Sequence, residues 1–154
     1  MVNNTYKDYL IEKPLCLILW NLDSSPDSII DFFKNKKDLE IKEIKNTENL
    51  EYWLKISRVE NIILGIKNLE EGKDIQEYIN KKLPMEKRRE IKLIYILPEA
   101  KTLDPKETFL LSANLVVSEK HLSDIEKIYE RAEQYWIFLY KDYKRAFSKY
   151  LETL

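Results

Sequence analysis

Glycine, cysteine and histidine are nearly missing from this 154-residue chain, which holds two glycines, one cysteine and one histidine. Gly65 and Gly72 alone cannot make a glycine-rich phosphate cradle, which sets aside a P-loop enzyme and a dinucleotide-binding Rossmann domain. A single cysteine excludes an internal disulfide and a cysteine-rich zinc site. Cys16 stands inside the apolar run Leu15 to Trp20, where a thiol behaves as a small buried hydrophobe. With His121 alone, no histidine pair can ligate a metal, and no Ser-His-Asp or Cys-His arrangement has independent support. No catalytic residue, metal site or cofactor is therefore assigned. Ser24 and Ser25 offer two hydroxyls where a flavodoxin-type FMN loop would lie, but Trp20, Leu22 and Pro26 make a poor phosphate nest.

Excess charge and long apolar runs are missing too. The formal net charge is −1, so no global field favours nucleic acid, a membrane surface or acidic partners. The basic cluster Lys81 to Lys92, centred on Lys87, Arg88 and Arg89, is interrupted by Glu86 and Glu90 and reads as a solvated helix end. The longest apolar runs are of strand length, which excludes a membrane-spanning helix. Residues 1–13 carry charges without an apolar stretch, unlike a signal peptide. A cytoplasmic protein is expected.

What is present is an alternation. Leu15 to Trp20, Ile62 to Ile66, Ile91 to Leu97 and Leu115 to Val117 are wholly apolar runs, whereas Leu39 to Ile44 alternates with period two, as an edge strand does. Between them lie helical segments. One opens at Ser25-Pro26, one carries Leu50, Trp53, Leu54 and Ile56, and one carries Ile75, Tyr78 and Ile79. Asp104-Pro105-Lys106-Glu107 combines a cap, an N1 proline and an N3 acid, a helix-start signal. Glu70, Glu71 and Asp74 sit where a loop becomes a helix, an ordinary place for acids. Strands alternating with helices predict an α/β fold: a flavodoxin-like, doubly wound, five-stranded parallel sheet of order 2-1-3-4-5 with a long C-terminal helix. The expected division is an N-terminal tail over 1–13, an α/β domain over 14–132 and a helical extension of that domain over 133–154.

This element order resembles the receiver domain of two-component signalling across Pro14 to Ala132. The nearest local match is Ile62-Ile63-Leu64-Gly65-Ile66-Lys67-Asn68-Leu69-Glu70-Glu71-Gly72-Lys73. The resemblance places Gly65 on the phosphoacceptor aspartate. The acidic pair that holds Mg²⁺ falls on Asn21-Leu22-Asp23, the Ser or Thr ending the fourth strand falls near Leu97-Pro98, and the lysine after the fifth strand falls within Ser118-Glu119-Lys120, where Lys120 is the candidate. Asp23, Gly65, Pro98 and Lys120 then mark a degenerate phosphorylation pocket. Without the nucleophile, and with one carboxylate for the cation, aspartyl-phosphate chemistry is not expected.

The last helix carries the second signal. From Leu122 a three-four spacing selects Ile125, Tyr129, Ala132, Trp136, Leu139, Tyr143, Ala146 and Tyr150, a heptad register longer than a sheet needs for cover. Two readings stay open. In one, the helix projects and Tyr129, Trp136, Leu139, Tyr143 and Tyr150 form an interface. In the other, a break near Glu133 folds the tail back, with Tyr6, Tyr9 and Leu10.

The resulting expectation is a pseudo-receiver that docks on a protein partner or homodimerises through its last helices, the face receivers use. The alternative is a small-ligand or nucleotide sensor using the pocket above the strand C-terminal ends. A working phosphorelay receiver labelled at another acid, such as Asp23, is a third and disfavoured option.

Overall fold

A computed structural model describes residues 13–153 of the chain. Every apolar run expected to pair does so: β1 (Leu15–Trp20), β3 (Val59–Gly65), β4 (Lys92–Leu97) and β5 (Leu115–Ser118). The alternating segment supplies β2 (Glu40–Glu43). All pairings are parallel, in the order β2-β1-β3-β4-β5. β1, β3 and β4 have neighbours on both sides and helices on both faces, which is why they read as unbroken aliphatic runs.

Local signals start the helices. α1 (Asp27–Asp31) begins one residue later than the Pro26 start expected, with the Ser25 hydroxyl accepting the Asp27 N–H at 3.2 Å. It widens into a π turn, Phe32–Lys36. α2 (Thr47–Ile56) is capped by Asn46, whose side chain accepts the Asn49 N–H at 2.9 Å. α3 (Lys73–Glu77) enters through a 3₁₀ turn, Leu69–Gly72, closed by a capping box between Asn68 and Glu71. That box is what the acid at position 71 does. α4 (Met85–Glu90) buries no residue, so apolar periodicity gives no hint of it. α5 (Pro105–Leu110) starts on the Asp104-Pro105 signal as expected. A 3₁₀ turn, Glu119–Asp124, leads into α6 (Ile125–Thr153), 29 residues long.

The sheet separates two apolar layers. On one face Leu17, Leu19, Ile62, Leu64, Leu93, Tyr95 and Val116 pack with Leu50 and Leu54 of α2 and with Ile75 of α3 and Ile79 of the π turn that follows it. On the other, Cys16, Ile18, Ile63, Ile94, Ile96, Leu115 and Val117 pack with Ile29, Phe32 and Phe33 and with Ile125, Ile128, Tyr129 and Ala132 of α6. Phe32, Phe33, Tyr129 and Trp136 form a chain of edge-to-face rings, with centroids 5.0 to 5.4 Å apart. Such rings bury about 150–250 Å² each and contribute heavily to the core.

Arg88 departs from the solvated reading of the basic cluster. Its guanidinium donates to Asn80 Oδ1 (2.9 Å), Ile91 O (2.9 Å), Asn114 Oδ1 (3.1 Å) and Ser112 O (2.9 Å). Asn114 Oδ1 also accepts the Leu93 N–H at 2.8 Å. One half-buried cation thus pins α4 and the loop before β5 to the start of β4. Lys81, Lys82 and Lys87 are exposed, as expected of a solvated end.

α6 runs without a break through Glu133, so the expected boundary between 132 and 133 falls inside a single helix. Glu133 is held by Lys37, whose Nζ lies 2.8 and 2.9 Å from its two carboxylate oxygens. The tail residues 1–12, with Tyr6, Tyr9 and Leu10, lie outside the described residues. Among the described residues, no helix is long and apolar enough to cross a membrane.

Candidate functional site

β1 and β3 end as register partners, Trp20 against Gly65. At Gly65 the constraint is space, since neither glycine has a positive φ. A Cβ there would overlap Trp20 Cε3 and stand only 2.7 Å from Cζ3. The indole therefore lies on the Cα of Gly65, in the space a side chain at that position would enter. Its Nε1–H is donated to Ser24 O at 2.7 Å, which fixes the ring. Sequence alone places Gly65 but gives Trp20 as the end of an apolar run and an obstacle to a phosphate nest, not as the neighbour of Gly65. The available signal was an aromatic ending β1 opposite a glycine ending β3.

The other expected pocket residues stand on the loops that leave β1, β4 and β5 at the same end of the sheet. Asp23 is exposed, and its carboxylate pairs with Lys67 Nζ at 3.0 Å. That bond, with further attraction from Glu71 and Glu119, holds the Lys67 ammonium above its ordinary pKa. Lys120 is exposed on the turn after β5. Its neighbour Glu119 reaches across instead, accepting from Ser24 Oγ at 2.5 Å and from the Ser24 N–H at 3.3 Å. The loop after β1 is thereby tied to the loop after β5. Pro98 is half-buried at the turn leaving β4, next to Leu97.

Beyond Pro98 the same loop contains Leu103, held at φ 63° in the left-handed region that a branched side chain rarely adopts. Its N–H bonds Val116 O at 3.0 Å. Thr102 Oγ1 accepts the Ser118 N–H at 2.8 Å and lies 2.7 Å from His121 Nδ1. His121 is thus a structural partner of the loop. Ser118 itself is fully buried at the end of β5, with no hydrogen-bond partner for its hydroxyl among the described residues.

These groups do not fit a Mg²⁺ ion. Magnesium needs near-octahedral oxygen ligands, with one or two well-placed carboxylates. Asp23 is committed to Lys67 and Glu119 to Ser24, and no group of three metal-ligating side chains occurs among the described residues. Gly65, which the resemblance sets at the phosphoacceptor position, carries no carboxylate.

A second concavity opens at the opposite end of the sheet. Arg58, Glu60 and Asn61 at the start of β3 and Glu90 and Lys92 at the start of β4 face Tyr129, Glu133, Trp136, Ile137 and Tyr140 of α6 across a cleft of about 400 Å³. The five expected interface residues divide at this point. Tyr129 is buried, its hydroxyl donating to Asn61 Oδ1 at 3.1 Å, and it belongs to the core. Burial drives its phenol pKa well up. Trp136 is half-buried, donates to Asn114 O at 3.2 Å and lies 5.1 Å beneath Lys92 Nζ. Burial, then the charge of Arg88, lowers the Lys92 pKa. Leu139 and Tyr150 are exposed. Tyr143 lies in α6, and its side chain is outside the described set.

No protein-family model matches the chain, and no curated protein sequence matches it. Among solved structures, it is similar to the non-phosphorylated receiver domain of HemR from Leptospira biflexa, with a TM-score of 0.54 at 16% identity over 78% of this chain and 94% of that one. The match shows the fold, and at that identity it transfers no residue roles. Sheet order, layering and this likeness agree: the chain has the CheY-like receiver fold.

Proposed function

We propose that this chain is a non-catalytic signalling module, a receiver-fold protein that acts through protein–protein contact and not through phosphorylation at the end of β3. The observation that carries the reading is the Trp20 indole lying on Gly65, where a phosphoacceptor side chain would have to stand. The Lys67–Asp23 pair supports it, because the loop's acid is already matched by a cation of the protein itself. For the contact surface, Phe109 and Leu110 of α5 are exposed, as are Leu139 and Tyr150 along α6. A cytoplasmic location belongs to the same reading.

The test is intact-mass measurement after incubation with acetyl phosphate and Mg²⁺. No phosphoryl adduct is the expected result. An adduct on Asp23, or on any acid at that end of the sheet, would return the chain to the phosphoswitches. The ligand-sensor reading has less support, because the position it depends on is filled by an indole. A thermal-shift screen with nucleotides, flavins and Mg²⁺ is expected to be flat. A shift removed by Asp23→Ala or Lys120→Ala would revive that reading.

A further inference from the structure

Backbone geometry gathers polar groups in the cleft at the start of β3 and β4. Leu15 and Cys16 of β1 pair with Val59 and Asn61, so Glu60 is an extra residue in β3. That shift lets Glu60 and Asn61, adjacent in sequence, both line the cleft, where a regular strand would turn one of them away. Ile91 is extended (φ −106°, ψ 131°), with its side chain buried in the layer away from α6. Glu90 and Lys92 on either side of it therefore both face the cleft, their Cα atoms about 6.6 Å apart at roughly 3.3 Å per residue. Lys92 is also the register partner of Asn61.

The cleft holds charges of both signs, and pairing accounts for most of them. Arg58 lies 3.6 Å from Glu60, and Glu133 is held by Lys37 of the π turn after α1. One cation and one anion are left, since Lys92 and Glu90 form no ion pair among the described residues. Lys92 Nζ rests 5.1 Å from the Trp136 ring, and both burial and the charge of Arg88 weigh against its ammonium. Asn61, 3% exposed, uses its Oδ1 to accept the Tyr129 hydroxyl, which leaves its amide N–H groups as donors. Those donors beside Lys92 suit a carboxylate, and Glu90 suits an ammonium. Opposite them, Trp136 and Tyr140 of α6 make an aromatic wall.

We infer that this cleft binds a free α-amino acid with an aromatic or branched apolar side chain. The carboxylate lies at Lys92 and the Asn61 amide, the ammonium meets Glu90, and the side chain lies against Trp136 and Tyr140. In an α-amino acid both charged groups are borne on one carbon, which matches a cation and an anion two residues apart on one strand. A peptide carries its end charges on different residues and does not match. A plain anion would leave Glu90 facing it, whereas a zwitterion meets both unmatched groups. The volume of about 400 Å³ lies at the small end of the range for ligand pockets. The site is at the opposite end of the sheet from Gly65, and the inference goes beyond the interaction reading without resting on it.

The experiment is calorimetric titration of the full chain with L-phenylalanine and with L-leucine, alongside amide chemical-shift mapping. Binding is expected, with shifts centred on the cleft residues of β3, β4 and α6. Phenethylamine lacks the carboxylate and 3-phenylpropanoate lacks the ammonium. Each should bind about tenfold or more weakly than L-phenylalanine, the scale of one charge-assisted hydrogen bond. Lys92→Met keeps an apolar stem over Trp136 and removes the charge, and Glu90→Gln removes the acid at an exposed position. Each should weaken binding by a similar factor with circular dichroism unchanged. Lys120→Ala, at the other end of the sheet, should bind as wild type does. Should Lys92→Met lose the fold, Glu90→Gln and the two analogues decide alone. Absence of heat and of shifts with both amino acids at millimolar concentration overturns the inference. Undiminished binding of either analogue, or by Lys92→Met or Glu90→Gln, overturns it as well, and so do shifts centred on Gly65 and Lys120.

Discussion

Trp20 lies with its indole on the Cα of Gly65, across the paired ends of β1 and β3. Each constrains the other, since a Cβ at position 65 would collide with the ring. Gly65→Ala is therefore expected to destabilise the fold by about 2 kcal/mol, the usual cost of forcing an extra carbon into a filled space. Gly65→Asp should cost more, since it also buries a carboxylate beneath a ring. In Trp20→Ala the space is vacated, and adding Gly65→Ala to that variant should cost little. Urea unfolding of the four-member cycle would read a coupling of about 1 kcal/mol or more. Additive losses would mean that the ring does not occupy the site.

Arg88 is expected to be the most costly surface-adjacent cation to remove. It donates to four acceptors on three segments, two of them backbone carbonyls. Arg88→Ala leaves those acceptors without their donor and should cost roughly 2–4 kcal/mol. Arg88→Lys should recover little, because an ammonium cannot span the same fork. Lys87→Ala, one residue away and exposed, should fall within about 0.5 kcal/mol of wild type. Chemical denaturation of the three variants separates a pinning role from a solvated one.

The sheet was legible because a parallel strand with helices on both faces must be apolar on both sides, and Leu15 to Leu19 and Ile62 to Leu64 are. The order of elements then leaves few topologies. α6 was legible from its heptad spacing. What did not show is anything fixed by register between distant segments. The pairing of Trp20 with Gly65 depends on a one-residue alignment of β1 and β3 that periodicity does not resolve. Lys67 on Asp23 and Glu119 on Ser24 are contacts between loops, where no repeat operates. Arg88 reads as solvated because its neighbours in sequence are, whereas its guanidinium lies among carbonyls that only the fold brings to it. Tyr129 and Leu139 sit in one stripe but have different surroundings, since a heptad pattern does not say where the sheet ends.

Alkaline pH should expose the buried phenols. Burial pushes Tyr95 up to about 12 and Tyr129 higher still, against an ordinary value near 10. Below pH 10 both states keep the proton and stability is unaffected. Above it the unfolded chain ionises first, so stability falls as pH rises from about 10 through the folded-state values. Lys92 works in the opposite sense: partial burial, then the charge of Arg88, lowers its pKa, which relieves a cost as pH rises. The net expectation is a loss of about 2 kcal/mol between pH 9.5 and 11.5, on the scale of roughly 1.4 kcal/mol per pH unit per group. Tyr129→Phe should flatten that slope. At pH 7 it should itself cost about 1 kcal/mol, because Asn61 Oδ1 loses its donor. An unchanged slope in Tyr129→Phe would mean that the hydroxyl ionises freely.

The two halves of α6 should respond oppositely to substitution. Trp136 stacks on Tyr129 at 5.4 Å, lies beneath Lys92 and donates to the backbone ahead of β5. Trp136→Ala removes all three contacts and should cost about 3 kcal/mol of stability, whatever it does to association. It is therefore a poor probe of an interface, although sequence spacing alone would choose it. Tyr150 stands about 20 Å further along the helix and 59% exposed, so Tyr150→Ala should leave the melting temperature of dilute protein within about 2 °C of wild type. Its effect should appear only at concentrations where chains meet, as a fall in the association constant by sedimentation. Measuring both variants over a hundredfold range of protein concentration separates the halves: the Trp136 loss should be independent of concentration, and the Tyr150 loss should grow with it. If both losses were independent of concentration, the projecting half would be part of the monomer's own core.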